Sequence, residues 1–466
     1  MLLSTLSKKL VILLFGLFFI NLNYLSAENL LEVYYLAAEN DPTVLGARQS
    51  QLADAEQLMI ARAKFLPNVT FSGSQNYGKS SDTYYNMDHV KYNTNQYNLS
   101  ITQPIFQVVD WMNYATVKKQ TLSSLKKYED VEQKLFLRVA EQYFAVLAAV
   151  DQLETSKSAK QAFFKRLEQA TQQFKVGVAA ITDISDAQAR LDTASAKVIS
   201  DANALTTTKE TLGQIVGKFI DHLSPLKQQI PLVPPSPEQI EPWLEKARKY
   251  NIKLQAARLD VEAAREAVRL SSSKHLPTLN LSGNFTNSKP PPAPVQDNNR
   301  TREIAVALNV PVFSGGAMVA ETQQAIFKSN AALQQLEGVY RDAESSTRVA
   351  YNSVLTQISQ VDALFQCVKS SKVALKATQA ATEVGTRTIV DVLNAQSDLL
   401  NTQRDYAKAR YDYIVNGLKL KQATGSLNLL DLAQVNDLLE QEVKKETKEE
   451  IKEEIKEEVK QTASKN

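Results

Sequence analysis

Residues 303–310 read EIAVALNV, and their alternation decides what kind of protein this chain folds into. Ile304, Val306, Leu308 and Val310 fall on one side of an extended strand, with Ala305, Ala307 and Asn309 on the other. Three more stretches alternate in the same way. NVTFSGS (68–74) sets Val69, Phe71 and Gly73 against Asn68, Thr70 and Ser72. YNLSITQ (97–103) sets Tyr97, Leu99 and Ile101 against Asn98, Ser100 and Thr102. TLNLSGNF (278–285) sets Leu279, Leu281 and Phe285 against Asn280, Ser282 and Asn284. Apolar on one face and small or polar on the other suits a soluble sheet on a core, and equally a barrel with lipid outside and water inside.

The flanks favour the barrel. Long polar segments separate the strands of each pair, and the aromatic residues Phe106, Trp111 and Phe313 follow the second strand of each pair, where an interfacial girdle would sit. Four strands cannot close a transmembrane barrel, and lipid does not tolerate open sheet edges. Several chains would therefore have to share one barrel, of 8, 12 or 16 strands for two, three or four copies.

The strands are a minor part of the chain. From Met112 to Val176 there is neither Gly nor Pro, which allows a helix of roughly 100 Å at 1.5 Å per residue. Val139, Tyr143, Val146, Val150 and Leu153 step by 4, 3, 4, 3, the spacing of a coiled coil. No proline follows Pro311. Shorter helices are expected at about Leu30–Lys64 and Ile240–Leu270.

The chain also repeats itself. KVGVAAITDISDAQ (175–188) returns 208 residues later as EVGTRTIVDVLNAQ (383–396), identical at six of fourteen positions. Leu66-Pro67 returns as Leu276-Pro277, and Gly217 as Gly425. So long a period means a duplicated half rather than a solenoid. The expected organisation is a first repeat over 28–217, a linker over 218–242 and a second repeat over 243–430. The stretch from Ser224 to Pro242 holds six of the 15 prolines. A charged, low-complexity tail is expected over 431–466. Lys8-Lys9, an apolar run from Leu10 to Ile20 and Ser26-Ala27 have the layout of a cleavable export signal over residues 1–27.

Composition narrows the chemistry. A net charge of +2 points to no nucleic acid partner. With 3 His and 1 Cys, no metal site is expected, and no cofactor. H-E-x-x-H, G-x-S-x-G and G-x-G-x-x-G are absent, so no catalytic residues are assigned and the chain reads as a non-enzyme. The competing class is an exported coiled-coil structural protein of the envelope.

In combination, these motifs resemble the TolC-type outer-membrane efflux proteins. The resemblance rests on the two-strand repeats, Leu-Pro before each first strand, QPIF (103–106), VPVFSGG (310–316) and GTRTIVDVLNAQ (385–396), and covers about residues 28–430. It implies a mainly α protein with membrane β: a long coiled-coil α-helical barrel, the periplasmic tunnel, continuous with a trimer-shared 12-stranded transmembrane β-barrel, four strands per chain. Val69, Phe71, Leu99, Ile101, Leu279, Leu281, Val306 and Leu308 would face lipid. It implies a homotrimer in the outer membrane that serves as the exit duct for an inner-membrane efflux pump or ABC transporter through a periplasmic adaptor. Members export drugs, and some also pass secreted proteins.

The repeated motif acquires a reading from both sides. Gly177 and Gly385 stand where a helix end needs a positive φ, and Asp183 and Asp391 where a returning helix begins. By resemblance, Asp391 is the acidic aperture residue, with Asn394 where many members carry a second Asp. Arg387 matches the gate-latching arginine, with Thr182 and Asp183 as its partners, while Thr382 replaces a common latch tyrosine. Three Asp391 carboxylates around a narrow axis would repel one another, raise at least one apparent pKa and attract cations. Val176, Gly177, Val384 and Gly385 match the adaptor-docking positions.

Overall fold

Proline and glycine set the lengths of the elements. The computed structural model of the chain describes residues 28–82, 87–177, 180–288 and 299–440. The expected export signal, the tips of both strand-connecting loops and residues 441–466 lie outside the described residues. In order, the elements are α1 (Leu30–Asn40), α2 (Pro42–Ala63), β1 (Asn68–Asp82), β2 (Met87–Phe106), α3 (Val108–Lys175) and α4 (Ile181–Val216). The second half repeats them as α5 (Glu241–Tyr250), α6 (Ile252–Ser273), β3 (Thr278–Ser288), β4 (Asn299–Asn309), α7 (Ala317–Glu383) and α8 (Ile389–Ala423). A short α9 (Leu429–Asn436) follows.

The helix expected over 30–64 is two helices, because Pro42 supplies no N–H and Asp41 caps the second, its Oδ1 accepting from the Val44 N–H at 2.9 Å. The helix expected over 240–270 breaks in the same place of the second half. There Asn251 Oδ1 accepts from the Leu254 N–H at 3.0 Å, and its Nδ2 donates to the Ala423 carbonyl at 2.8 Å.

The four strands form one antiparallel sheet in the order β1-β2-β3-β4, the two hairpins of the halves joining through β2 and β3. Register aligns the alternation across all four. Val69 lies opposite Ile101, Ile101 opposite Gly283 and Gly283 opposite Ile304, and the next row runs Phe71, Leu99, Phe285, Arg302. Much of the segment expected as a polar loop in the first half is strand, since β1 runs to Asp82 and β2 begins at Met87. Polar residues there pair by backbone, as in Asn76 opposite Thr94, and a ladder makes no demand for apolar side chains.

At 68 and 67 residues, α3 and α7 each reach about 100 Å. With α4 and α8 they make two long antiparallel hairpins leading away from the sheet. Partway along, the main core gathers Leu30 and Val33 of α1, Leu135, Val139, Tyr143 and Val146 of α3, Leu212 of α4, Tyr411 and Leu418 of α8, and Leu432 and Leu439. Of the expected heptad, Val139, Tyr143 and Val146 are buried there, whereas Val150 is exposed. The proline-rich stretch crosses this waist: the Tyr143 hydroxyl donates to the Ser224 carbonyl at 2.8 Å, and short bridges tie Leu223 to Glu28 and Leu226 to Leu439. Residues 431–440 fall within the expected tail. They pack instead, with Leu432 and Leu439 buried, because α9 carries an apolar face the charged repeat beyond it lacks.

Candidate functional site: the hairpin tips and the sheet

At the end remote from the sheet, both hairpins reverse on a Val-Gly pair. Gly177 has φ +75° and Gly385 φ +80°, the left-handed conformation that ends a helix without a Cβ penalty. The Gly177 N–H donates to the Phe174 carbonyl at 3.0 Å, and the Gly385 N–H to the Thr382 carbonyl at 3.1 Å. The Thr386 N–H reaches back to Ala381 at 2.9 Å. Val176 and Val384 are 73% and 76% exposed, and a Cβ built on either glycine would meet no atom within 4 Å. The two tips thus present an apolar side chain beside bare, open backbone.

Both aspartates stand at the third position of the returning helix. Asp183 Oδ2 accepts from the Ala180 N–H at 3.1 Å. Asp391 forms a reciprocal capping box. Its Oδ2 accepts from the Thr388 N–H and hydroxyl at 2.9 Å each, while its own N–H donates to Thr388 Oγ1 at 3.2 Å. These bonds from Thr388, backbone first and side chain second, hold the Asp391 carboxyl below its ordinary value, and the Arg387 charge adds to the effect. Within one chain the shift is therefore downward, opposite to the rise expected from clustered carboxylates.

Arg387 does not reach its expected partners inside the chain. Its Nη1 lies 3.9 Å from Asp391 Oδ1, a contact favoured by the four-residue spacing. Among the described residues, neither Thr182 nor Asp183 bonds it; Thr182 is exposed and Asp183 is engaged in its own cap. Thr382, in the place of the latch tyrosine, turns back on its own helix, donating to the Thr378 carbonyl at 2.8 Å.

Asn394 is not an idle neighbour of Asp391. Its Oδ1 accepts from Arg190 Nη2 at 2.9 Å, a hydrogen bond that ties α8 to α4 and hence one hairpin tip to the other. Beside it, Leu393 is 2% exposed, packed against Phe163 of α3 and Ala194 of α4. Farther from the tips, the Tyr411 hydroxyl donates to Asp151 Oδ2 at 2.6 Å, again joining α8 to the first hairpin. Sequence reasoning missed Arg190. The available signal was its position seven residues, two helical turns, beyond Asp183 and therefore on the same face.

At the opposite end, the residues expected to face lipid share one face of the sheet. Val69, Phe71, Leu99, Ile101, Leu281, Val306 and Leu308 are exposed and Leu279 half-buried. The other face carries the polar set, where Thr286 donates to Asn98 Oδ1 at 2.9 Å. Phe106 and Trp111 meet edge to face at 5.6 Å between ring centres where β2 passes into α3, and Phe313 is exposed at the corresponding end of β4. Among the described residues, no helix is long and apolar enough to cross a membrane, and no group of three His, Cys, Asp or Glu could hold a metal ion.

Comparison with known proteins agrees over nearly the whole of this architecture. The chain is 36% identical over 414 residues to the outer membrane protein TolC of Vibrio cholerae, spanning 88% of this chain and 93% of that protein. It is 28% identical over 437 residues to the alkaline protease secretion protein AprF of Pseudomonas aeruginosa, spanning 92% and 91%. Its fold matches the solved structure of the CmeC outer membrane channel of Campylobacter jejuni with a TM-score of 0.75 at 17% identity, over 89% of this chain and 90% of that one. The model of the family described as outer membrane efflux protein matches residues 33–218 and 243–426, the two duplicated halves, and the chain belongs to that family.

Proposed function

We propose that three copies of this chain form a passive outer-membrane duct, through which an inner-membrane transporter, coupled by a periplasmic adaptor, discharges drugs and secreted protein. One observation carries the reading: a four-stranded sheet with an exposed apolar face and two free edges, β1 and β4, sits at the head of two helices, α3 and α7, each about 100 Å long. In lipid those edges require partners, and β4 of one copy against β1 of the next satisfies every ladder once the ring closes. The resemblance to the family sets the number at three and the strands at twelve. Both cargo classes find support, since the matching family is described as outer membrane efflux protein and one relative is named as an alkaline protease secretion protein.

In this reading the two halves, 28–217 and 243–430, contribute equivalent wall segments of one tunnel, and the hairpin tips close its periplasmic mouth. Asp391 lines the aperture, the Arg190–Asn394 bond and the buried Leu393 hold the second hairpin inward, and the two Val-Gly tips receive the adaptor. The envelope-structural alternative accounts for the coiled coil but leaves the apolar sheet face and its edges without a use.

The test is single-channel conductance of the purified protein in a planar bilayer, with a divalent cation titrated on the hairpin side. A small, long-lived conductance blocked by the cation is expected. A protein that stays in solution without detergent and never conducts would overturn the duct.

A further inference from the structure

The strand register sorts charge as well as polarity. Residues opposite one another in paired strands share a face, so the row Thr70, Ser100, Asn284, Glu303 belongs to the polar side of the sheet. The rows next to it on that side are neutral: Ser72, Asn98, Thr286 and Thr301 in one, Asn68, Thr102, Ser282 and Ala305 in the other. Lys79, Lys91, Arg300 and Arg302 fall on the opposite, apolar side, where Arg302 Cζ lies 5.7 Å from the centre of the Phe285 ring. Among strand residues with described side chains, Glu303 is therefore the one charge on the polar face. Its neighbours satisfy one another, the Thr286 hydroxyl donating to Asn98 Oδ1 at 2.9 Å and Gln107 Nε2 to Asn280 Oδ1 at 2.8 Å. The Glu303 carboxylate is exposed and has no bonding partner among the described residues.

We infer that Glu303 sets the charge preference of the barrel: three copies place a ring of carboxylates in a neutral lumen and favour cationic over anionic solutes at the end of the duct remote from Asp391. The inference rests on the trimeric barrel proposed above. Threefold symmetry puts the three carboxylates at one depth. That depth lies within the membrane, because the adjoining rows of the outer face carry Val69, Ile101 and Ile304 on one side and Phe71, Leu99 and Phe285 on the other. Low-dielectric walls around a lumen with charge of a single sign focus its field.

The dimensions suit a field rather than a binding site. Twelve strands about 4.8 Å apart at a tilt of about 40° enclose a circle of about 12 Å radius, so inward-pointing carboxylates come within about 10 Å of the axis. That is about one Debye length at 0.1 M salt and about one third of one at 0.01 M, so an ion on the axis feels all three. Standing more than about 10 Å from one another, they do not converge on a single ion. Block by a cation thus belongs to Asp391 at the narrow mouth, and a salt-dependent preference without block to Glu303 at the wide one.

The experiment reads the local field in the full-length assembly, reconstituted in lipid vesicles. Cys367 is replaced by Ser, and Ser100→Cys places a thiol in the Glu303 row, two strands or about 10 Å away. Two methanethiosulfonates of matched size, one a quaternary ammonium and one a sulfonate, are compared, and the ratio of their rates cancels the reactivity of the thiol itself. At 0.01 M salt that ratio is expected to favour the cationic reagent roughly tenfold more with Glu303 present than in the Glu303→Gln variant. Glu303→Asp should keep the preference, and 1 M salt, where the Debye length is about 3 Å, should abolish it. A ratio unchanged by Glu303→Gln, at a thiol that both reagents reach, would overturn the inference and leave the duct standing. A Ser100→Cys thiol that neither reagent reaches, with Leu99→Cys modified instead, would put the polar face outside the lumen and overturn the barrel reading with it.

Discussion

Replacing Gly177 separates the two roles proposed for the hairpin tip, because there the backbone cost and the surface effect can be computed apart. At φ +75° any L side chain incurs about 1–2 kcal/mol of local strain. No atom lies within 4 Å of the built Cβ, so no clash adds to that figure for either alanine or arginine. Gly177→Ala and Gly177→Arg should therefore lose the same stability to within about 0.5 kcal/mol, the usual spread for exposed positions. They differ only in what projects from the tip beside Val176. The assay pairs thermal dissociation of the assembly with drug susceptibility of cells that depend on the variant for export. Both variants should remain assembled with matched melting; Gly177→Ala should retain most of its export and Gly177→Arg should lose it. Full resistance with Gly177→Arg would refute docking at this tip. Equal loss of export in both variants would show that the turn, not the surface, is what function requires.

Three further outcomes are expected. Arg190→Ala, which removes the bond between the hairpin tips, should raise channel conductance or open time, and Asn394→Asp, which converts it to an ion pair, should lower them; unchanged traces in both would remove this pair from the closed state. Gly425→Ala would place a Cβ 2.1 Å from the Tyr250 carbonyl oxygen and should abolish folded protein, whereas Gly417→Ala, in open space within α8, should be neutral or stabilise by up to about 1 kcal/mol; a soluble, assembled Gly425→Ala would contradict the packing of α8 against the α5–α6 break. Because the Asp391 carboxyl is depressed, its cap is complete above the ordinary value of 3.8 and is lost only as pH falls below it. Hydrogen exchange in the first turn of α8 should accelerate across that acid range in wild type and show no such step in Asp391→Asn, and a step persisting in the variant would assign the titration elsewhere.

The strands, the long helices and the tip glycines were legible because each leaves a local trace: a period of two, a run without Gly or Pro, a positive-φ requirement. The breaks at Asp41 and Asn251 were less visible. A lone Asp-Pro or an Asn inside a helical pattern acts only through a cap, and the contacts that make the break worthwhile come from residues far away, Arg138 for Asp41 and Ala423 for Asn251. The extension of β1 to Asp82 was hidden for another reason. Asn, Ser and Lys have low strand preference, and backbone pairing with β2 overrides it. At the tips, the capping function of Asp391 followed from its place at the start of the returning helix, but Arg190 met Asn394 only through the packing of one hairpin on the other, which no single stretch of sequence encodes.

The waist has a consequence for the order in which the molecule can assemble. One six-residue stretch, 222–227, holds both extremities of the described chain. Glu28 N–H donates to the His222 carbonyl at 3.0 Å and Ser224 N–H to the Glu28 carbonyl at 3.2 Å, while Lys227 N–H donates to Leu438 at 3.0 Å and Glu440 N–H to Pro225 at 2.8 Å. The seam between the repeats is thus stitched to residues about 200 positions away in either direction. Contacts of such separation form late, after the loops they close. A chain emerging from its N-terminal end can wind its helices but cannot lock its middle until the last turn, α9, has arrived. The nascent protein consequently remains threadable for the whole of its passage, and C-terminal truncation before Leu439 should yield chains that are helical yet never mature.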